Sequence, residues 1–125
     1  MTAPRLTLAI LAIAALATPA FAQQDNRIDD LDAERINADL VEIEFEYDGG
    51  ACEHVGVAQL GDVTDGTLAV TFPTSSTAEM CTQQIVEIDV EQIIEADASV
   101  RMVEVTILRP DGTVLATDTT RVDED

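Results

Sequence analysis

The sequence predicts an all-β domain, and three observations lead to this fold class. From residue 40 onward, apolar and acidic residues alternate with a period of two, which is the pattern of half-buried strands. Turn-forming sequences such as Arg109-Pro-Asp-Gly112 separate the alternating segments at short intervals. After residue 22, no apolar run approaches the length of about 18 residues that a membrane-spanning helix needs.

The amino-terminal stretch predicts export. Arg5 gives it a positive start, and residues 6–16 are almost wholly apolar but too few to span a bilayer comfortably. Pro19 precedes the small-x-small sequence Ala20-Phe-Ala22, after which a signal peptidase would cleave. We therefore predict a signal peptide over residues 1–22 and a periplasmic or secreted protein without a membrane anchor.

The charge of the chain narrows its partners. Cleavage after residue 22 of the 125 residues would leave 103, enough for one small domain. Arg5 would be lost with the signal, so the formal net charge would change from −19 to −20. Nucleic acids reward clustered Lys and Arg, and this sequence contains no lysine, so we expect no nucleic-acid binding. The acidity indicates a solvated surface or, alternatively, a patch for a cation or a basic partner.

Residues 23–38 differ from the segment that follows them. They are polar and acidic, and Ile28 and Leu31 have a spacing compatible with one side of a short helix. The sequence predicts an acidic leader here, flexible or with a short helix. A β-sandwich domain is predicted over residues 39–122, and an acidic tail over residues 123–125.

Within the domain, six alternating segments are predicted as strands: residues 41–48, 52–60, 68–72, 84–94, 100–108 and 113–122. Such a series predicts a small antiparallel β-sandwich of about six to seven strands, of immunoglobulin or fibronectin type III character, with a closed barrel as the alternative. The core must be aliphatic, because Phe45, Tyr47 and Phe72 are the only aromatic residues after the signal. The Cys-Trp-Cys arrangement of antibody domains is missing.

Cys52 and Cys81 are the only cysteines, in a chain predicted to enter an oxidising compartment. They allow one intramolecular pairing, so we predict a structural disulfide. Closing a loop of about 30 residues would stabilise the fold by roughly 3–4 kcal/mol through the unfolded state.

The same region offers a weaker metal hypothesis. Cys52 and His54 would face the same way on a strand, and Met80 and Cys81 supply two further sulfurs. Thiolate, imidazole and thioether ligands suit copper and, less well, zinc, but a disulfide would consume both thiolates. Calcium has other candidate ligands in two acidic clusters: Asp29, Asp30 and Asp32, or Asp62 and Asp65. Neither cluster matches an EF-hand loop, and we predict no bound cofactor.

Catalytic signals are weak. His54 is the only histidine, and Ser75, Ser76 and Ser99 do not lie in a recognisable nucleophile turn. The many acids make any carboxylate pair uninformative as a hydrolase signal. We predict no catalytic residues and no enzyme activity.

The sequence thus predicts an exported, non-catalytic binding or interaction module with one disulfide, and it names no ligand. We expect a protein or peptide partner, engaged at edge strands or end loops. Two predicted strands carry rows of acids: Glu42, Glu44 and Glu46, and Glu87, Asp89 and Glu91. Protection of the sheet from unwanted association is the commoner explanation of such rows, and recognition of a basic partner is the alternative. The alternative function is that of a periplasmic accessory protein that binds copper or calcium.

Overall fold

The computed structural model describes residues 27–77, 81 and 84–124. They form strands, turns and connections without a helix, which confirms the all-β prediction. No helix in this part of the chain is long and apolar enough to cross a membrane. The described residues contain nine strands: β1 Asp29–Asn37, β2 Leu40–Gly50, β3 Glu53–Val55, β4 Gln59–Thr64, β5 Thr67–Phe72, β6 Thr74–Ser76, β7 Ile85–Glu95, β8 Met102–Leu108 and β9 Val114–Asp123. The predicted signal peptide, Met80 and Asp125 lie outside the described residues.

Seven strands form one curled sheet, a half-barrel, in the order β4-β5-β8-β9-β1-β2-β7, and β3 pairs with β6 in a small second sheet. The pairs β5–β8 and β1–β9 are parallel, so the prediction of a wholly antiparallel domain was wrong. The connection from β5 to β8 passes through β6 and β7, which gives the chain the length to return in the same direction. The immunoglobulin-like sandwich is not confirmed and stays a prediction.

The core lies on the inner face of the curled sheet. On β2, β5 and β8, alternate side chains are buried, as the sequence predicts: Val41, Ile43, Phe45, Tyr47, Leu68, Val70, Phe72, Val103, Val105 and Ile107. The rings of Phe45 and Phe72 meet edge to face with centroids 5.1 Å apart, so β2 packs against β5 across the interior. Each large side chain buried in this way stabilises the fold by about 1.5–3 kcal/mol.

The prediction of a flexible or helical leader was wrong for residues 29–37. They form β1, which lies in the middle of the sheet between β2 and β9. Ala33 and Ile28 are buried, but the next inward position on the strand is Arg35. Because a small residue and a charged residue occupy the inner face, the strand carries almost no apolar alternation, and tertiary pairing decides its conformation instead.

Arg35 occupies an inward position of β1 where an apolar side chain would be expected. Its guanidinium donates hydrogen bonds to the backbone carbonyl oxygens of Ala96, Asp97 and Val100 at 2.9–3.0 Å. These carbonyls belong to the connection between β7 and β8. Arg35 therefore fixes that connection against the end of β1, and its charge is compensated by carbonyl dipoles in a site where its side chain is only 10% exposed.

The predicted acidic tail over residues 123–125 also needs correction. Asp123 is the last residue of β9 and is the register partner of Glu34. A carboxylate oxygen of Glu124 lies 3.5 Å from Nε of Arg35. The largely buried arginine thus holds Glu124 against the sheet.

Cys52 and Cys81 form a disulfide, as predicted, with their Cα atoms 6.1 Å apart. The bond closes the segment that contains β3, β4, β5 and β6. Nearby, the amide of Ala51 donates to the carbonyl oxygen of Gln84 at 3.0 Å and closes the end of β2 against the start of β7. The disulfide indicates an oxidising, non-cytoplasmic compartment.

Candidate acidic binding face

The outer side of β2 and β7 carries two rows of acids. Both strands alternate strictly, so every acid of the two predicted rows points away from the core. We call this surface the acidic face; it consists of Glu42, Glu44, Glu46 and Asp48 on β2 and Glu87, Asp89 and Glu91 on β7.

The register of β2 and β7 places acids opposite acids. Three pairs are direct partners: Glu44 and Glu91, Glu46 and Asp89, and Asp48 and Glu87. Side chains at such positions have Cβ atoms about 4.5–5.5 Å apart, and like charges there destabilise a sheet. The sequence showed both rows, but only the register shows that they face each other.

The crowding changes the acidity of two carboxyl groups. For Glu44, partial desolvation raises the pKa above its ordinary value of 4.5, and the charges of Glu91 and Glu42 raise it further. For Glu46, the charge of Glu87 is the largest cause of a raised pKa, followed by desolvation and the charge of Asp89. Glu44 and Glu46 therefore hold protons more tightly than isolated carboxylates do.

Two groups of carboxylates are close enough to share a cation. In each group, the candidate ligand oxygens lie within 4.8 Å of one another; the groups are Glu42, Glu44 and Glu91, and Glu46, Glu87 and Asp89. Hard cations such as Ca²⁺ prefer carboxylate oxygens. Sequence reasoning did not select these residues as metal ligands, since their grouping depends on the pairing of β2 with β7.

The calcium clusters predicted from the sequence are only partly assembled. Asp30 lies in a bulge of β1 with a φ of 53°, and with Asp32 it lines a cavity of about 410 Å³ beside Glu44 and Glu46. Asp29 instead pairs with Arg27 at 3.0 Å. Asp62 lies on β4 and Asp65 in the following turn, and neither belongs to a carboxylate group.

The predicted copper site lacks free thiolates. Both Cys52 and Cys81 are in the disulfide, and Met80 falls outside the described residues. His54 lies on β3, where its register partner is Ser75. No hydrogen bond joins the imidazole and this hydroxyl in the part of the chain that the structure describes, and we derive no catalytic step from the pair.

The remaining serines have local roles or none that the structure shows. The Ser99 hydroxyl donates to Oδ1 of Asp97 at 2.5 Å in the β7–β8 connection. This bond and the one from the Ser99 amide lower the pKa of Asp97. Ser76 ends β6 and is exposed.

Sequence reasoning missed a polar contact between β2 and β3. The buried Tyr47 hydroxyl donates to a carboxylate oxygen of Glu53 at 2.5 Å. Burial, then this hydrogen bond and the charge of Glu53, raise the pKa of Tyr47 well above its ordinary value. Gly49 permits the approach, because a Cβ there would lie 2.8 Å from Oε2 of Glu53 and 3.0 Å from Cε2 of Tyr47. The two glycines after Asp48 were the only sequence signal for this close approach, but such a pair is equally typical of a turn.

A second missed residue is Gln92. It occupies an inward position on β7, between the buried Val90 and Ile94. Its carboxamide reaches the backbone of the segment between β3 and β4. A polar residue at an inward position of a strand was the signal that could have found it.

Comparisons with protein-family models, with curated proteins and with solved structures found no match for this chain.

Proposed function

We propose that the protein is exported by means of the signal peptide over residues 1–22 and acts outside the cytoplasm, in the periplasm or secreted, as a non-catalytic binding module for a basic protein or peptide. The observation that carries the proposal is the register of β2 and β7, which aligns three pairs of acids on one exposed surface. The disulfide supports the compartment.

The geometry of the acidic face suits an extended basic segment. Outward residues on one strand repeat about every 6.8 Å, and neighbouring strands are about 4.8 Å apart. The carboxylates therefore form two parallel rows, and an arginine of the partner can reach a carboxylate of each row with its planar guanidinium. A bound cationic group would offset the mutual repulsion of the paired acids, so binding should stabilise the protein.

The proposal is tested by the affinity of an oligoarginine peptide, measured by fluorescence anisotropy at low and moderate salt. The double variant Glu44→Gln/Glu46→Gln removes two charges from the centre of the acidic face. We expect its affinity to fall about tenfold, and binding of the parent to weaken as salt screens the charges.

The matched control is Glu104→Gln. Glu104 is an exposed acid on β8, opposite Thr119 and away from the acidic face. Glu104→Gln removes one charge and the double variant removes two. An equal loss of binding free energy per removed charge would show that only net charge matters and would contradict a defined binding face.

Calcium binding at the same face is a second candidate function, favoured by the two carboxylate groups. Each group supplies three side chains, and Ca²⁺ completes its shell of 6–8 oxygens with water. Millimolar Ca²⁺ should raise the melting temperature, and a chelator should reverse the rise. If Glu44→Gln/Glu46→Gln responds to Ca²⁺ as strongly as Glu104→Gln, calcium binding at this face is ruled out.

A further inference from the structure

β4 and β7 are the two edge strands of the seven-stranded sheet, and residues of both line one groove, so the two edges meet at a seam. Gln92 of β7 crosses it: Oε1 accepts a hydrogen bond from the amide of Ala58, and Nε2 donates to the carbonyl oxygen of Gly56, both at 2.9 Å. We call this contact the Gln92 bridge. One side-chain amide supplies the donor and the acceptor that a backbone peptide group of a neighbouring strand would supply.

Beyond the Gln92 bridge, toward the end of β7, the seam widens into a groove of about 550 Å³. We call it the seam groove. Its apolar lining comes from β2, β4, β5 and the connection after β7: Leu40, Leu60, Val63, Leu68, Ala96 and Val100. Leu60 and Val63 remain 44% and 48% exposed. Large apolar side chains left open at a sheet edge are typical of an interaction surface.

The two edges differ in their capacity to accept a strand. β4 carries a register shift between Leu60 and Val63, and such a bulge disrupts the hydrogen-bonding row of an edge. β7 pairs with β2 over all 11 residues without a shift, so its opposite edge is regular. In the described residues, no backbone hydrogen bond joins that edge to β3 or β4. Residues 53–55 of β3 flank residues 88–92 of β7. The open part of the edge is therefore residues 93–95, which lie beside the seam groove.

The rim of the seam groove defines the charge of its occupant. Asp39, Glu95 and Asp97 surround the apolar lining. Glu91, on the acidic face, precedes Glu95 along the same strand. A second copy of this chain would bring a net charge of −19 to an acidic rim, so electrostatics oppose self-association there. Lys and Arg are the complementary side chains.

We propose that the seam groove is a strand-acceptor site for a partner protein. The occupant is an extended segment in which apolar residues alternate with Lys or Arg, and it adds to the free edge of β7. Because side chains alternate along a strand, its apolar residues enter the groove while its basic residues reach the acidic rim. This inference rests on the proposed function for the basic character of the partner and adds the position of the partner's backbone.

The test uses a short fluorescent peptide that repeats Val-Lys, with anisotropy as the measurement. A peptide of the same composition in block order, with all valines before all lysines, is the control for charge alone. We expect the alternating peptide to bind about tenfold more tightly than the block peptide. Backbone N-methylation at alternate residues should abolish binding for the set that faces β7 and leave it nearly unchanged for the other set, as strand addition requires.

The protein variant is Leu60→Ser/Val63→Ser, with Val114→Ser and Ile36→Ser as matched controls. The controls remove apolar side chains that are 54% and 48% exposed outside the groove. The groove variant should lose about tenfold in affinity for the alternating peptide and the controls less than about twofold. Melting curves check that every variant is folded.

Three results would overturn the strand-acceptor site. They are equal affinity for the alternating and block peptides, equal losses in the groove variant and the controls, and a dimer in sedimentation that Leu60→Ser/Val63→Ser dissolves, which would assign the groove to a second copy. If the alternating peptide instead loses affinity only in Glu44→Gln/Glu46→Gln, the acidic face is the binding surface. The proposed function then stands while this inference fails.

Discussion

The two halves of the seven-stranded sheet share one apolar core but carry different outer faces. On β2 and β7, acids lie opposite acids at three successive outward pairs. On β8 and β9, the corresponding pairs are Glu104 with Thr119 and Thr106 with Thr117, whose hydroxyl oxygens are 3.3 Å apart. Cross-strand threonine pairs stabilise a sheet, whereas like charges at the same positions destabilise it.

The pair β8–β9 shows that strands of this sheet can pair without acids facing each other on the outer side. The half made of β5, β8 and β9 buries the same kind of side chains beneath an outer surface with few charges. The acids of β2 and β7 therefore add a repulsion that the core must offset. Charge protection of the exposed edge of β7 would need acids on that strand, but it would not need a second row on β2 directly opposite. The proposed basic ligand would account for both rows.

The largest effect should come from breaking the contact that joins the halves. Phe72→Ala removes the ring that packs edge to face on Phe45, between β5 and β2. The cavity should lower the free energy of unfolding by about 3–5 kcal/mol, measured by urea denaturation. Thr71→Ala, on the outer side of the same strand, should change it by less than about 0.5 kcal/mol. Similar losses in both variants would contradict the division into an inner core and an outer face.

A smaller effect is expected at Arg35, which connects β1 to the β7–β8 connection. Arg35→Met keeps much of the side-chain volume but leaves the carbonyl oxygens of Ala96, Asp97 and Val100 without this donor. We expect a loss of about 2 kcal/mol in the free energy of unfolding. Arg109→Met, in the exposed turn before β9, is the control and should cost well under half as much. An equal cost would show that β1 does not depend on this anchor.

These two residues also show how far the sequence predicts the structure. The alternation of Leu68, Val70 and Phe72 predicts one face of a strand, and the structure buries all three side chains. Arg35 falls in the predicted leader, because an inward arginine satisfied by carbonyls from residues far along the chain leaves no periodic signal. The parallel pairs, the Gln92 bridge and the opposed acid pairs depend on which strands become neighbours. Alternation carries no information about neighbours.

The smallest effect should be the pH dependence of stability, because it depends on a few carboxyl groups. Two of them, Glu44 and Glu46, belong to the acidic face. Glu44 and Glu46 have pKa values raised above 4.5, so the folded state binds protons more tightly than the unfolded state. Their contribution is fully present below pH 4.5 and is lost as the pH rises through the raised pKa values. The melting temperature should therefore rise when the pH falls from 7 toward 4.5.

At lower pH the trend should reverse. Hydrogen bonds from Ser99 and Thr113 lower the pKa values of Asp97 and Asp111 below 3.8, and their contribution is lost as the pH falls through those lowered values. Thermal melts across this range check both trends. In Glu44→Gln/Glu46→Gln the rise between pH 7 and 4.5 should be reduced; an unchanged profile would show that the acidic face is not its source.

The acidic face should oppose folding of the protein without ligand and favour binding of a basic ligand. The most direct measurement is the melting temperature of Glu44→Gln/Glu46→Gln at pH 7 with and without saturating oligoarginine, compared with the parent. Without peptide the variant should melt at a higher temperature, because two charges leave a crowded row. With peptide it should gain less than the parent, because ligand affinity sets the stabilisation. A variant that melts at a lower temperature than the parent without peptide would show that the acidic face does not oppose folding. A variant whose melting temperature the peptide raises as much as that of the parent would show that the acidic face is not the binding surface.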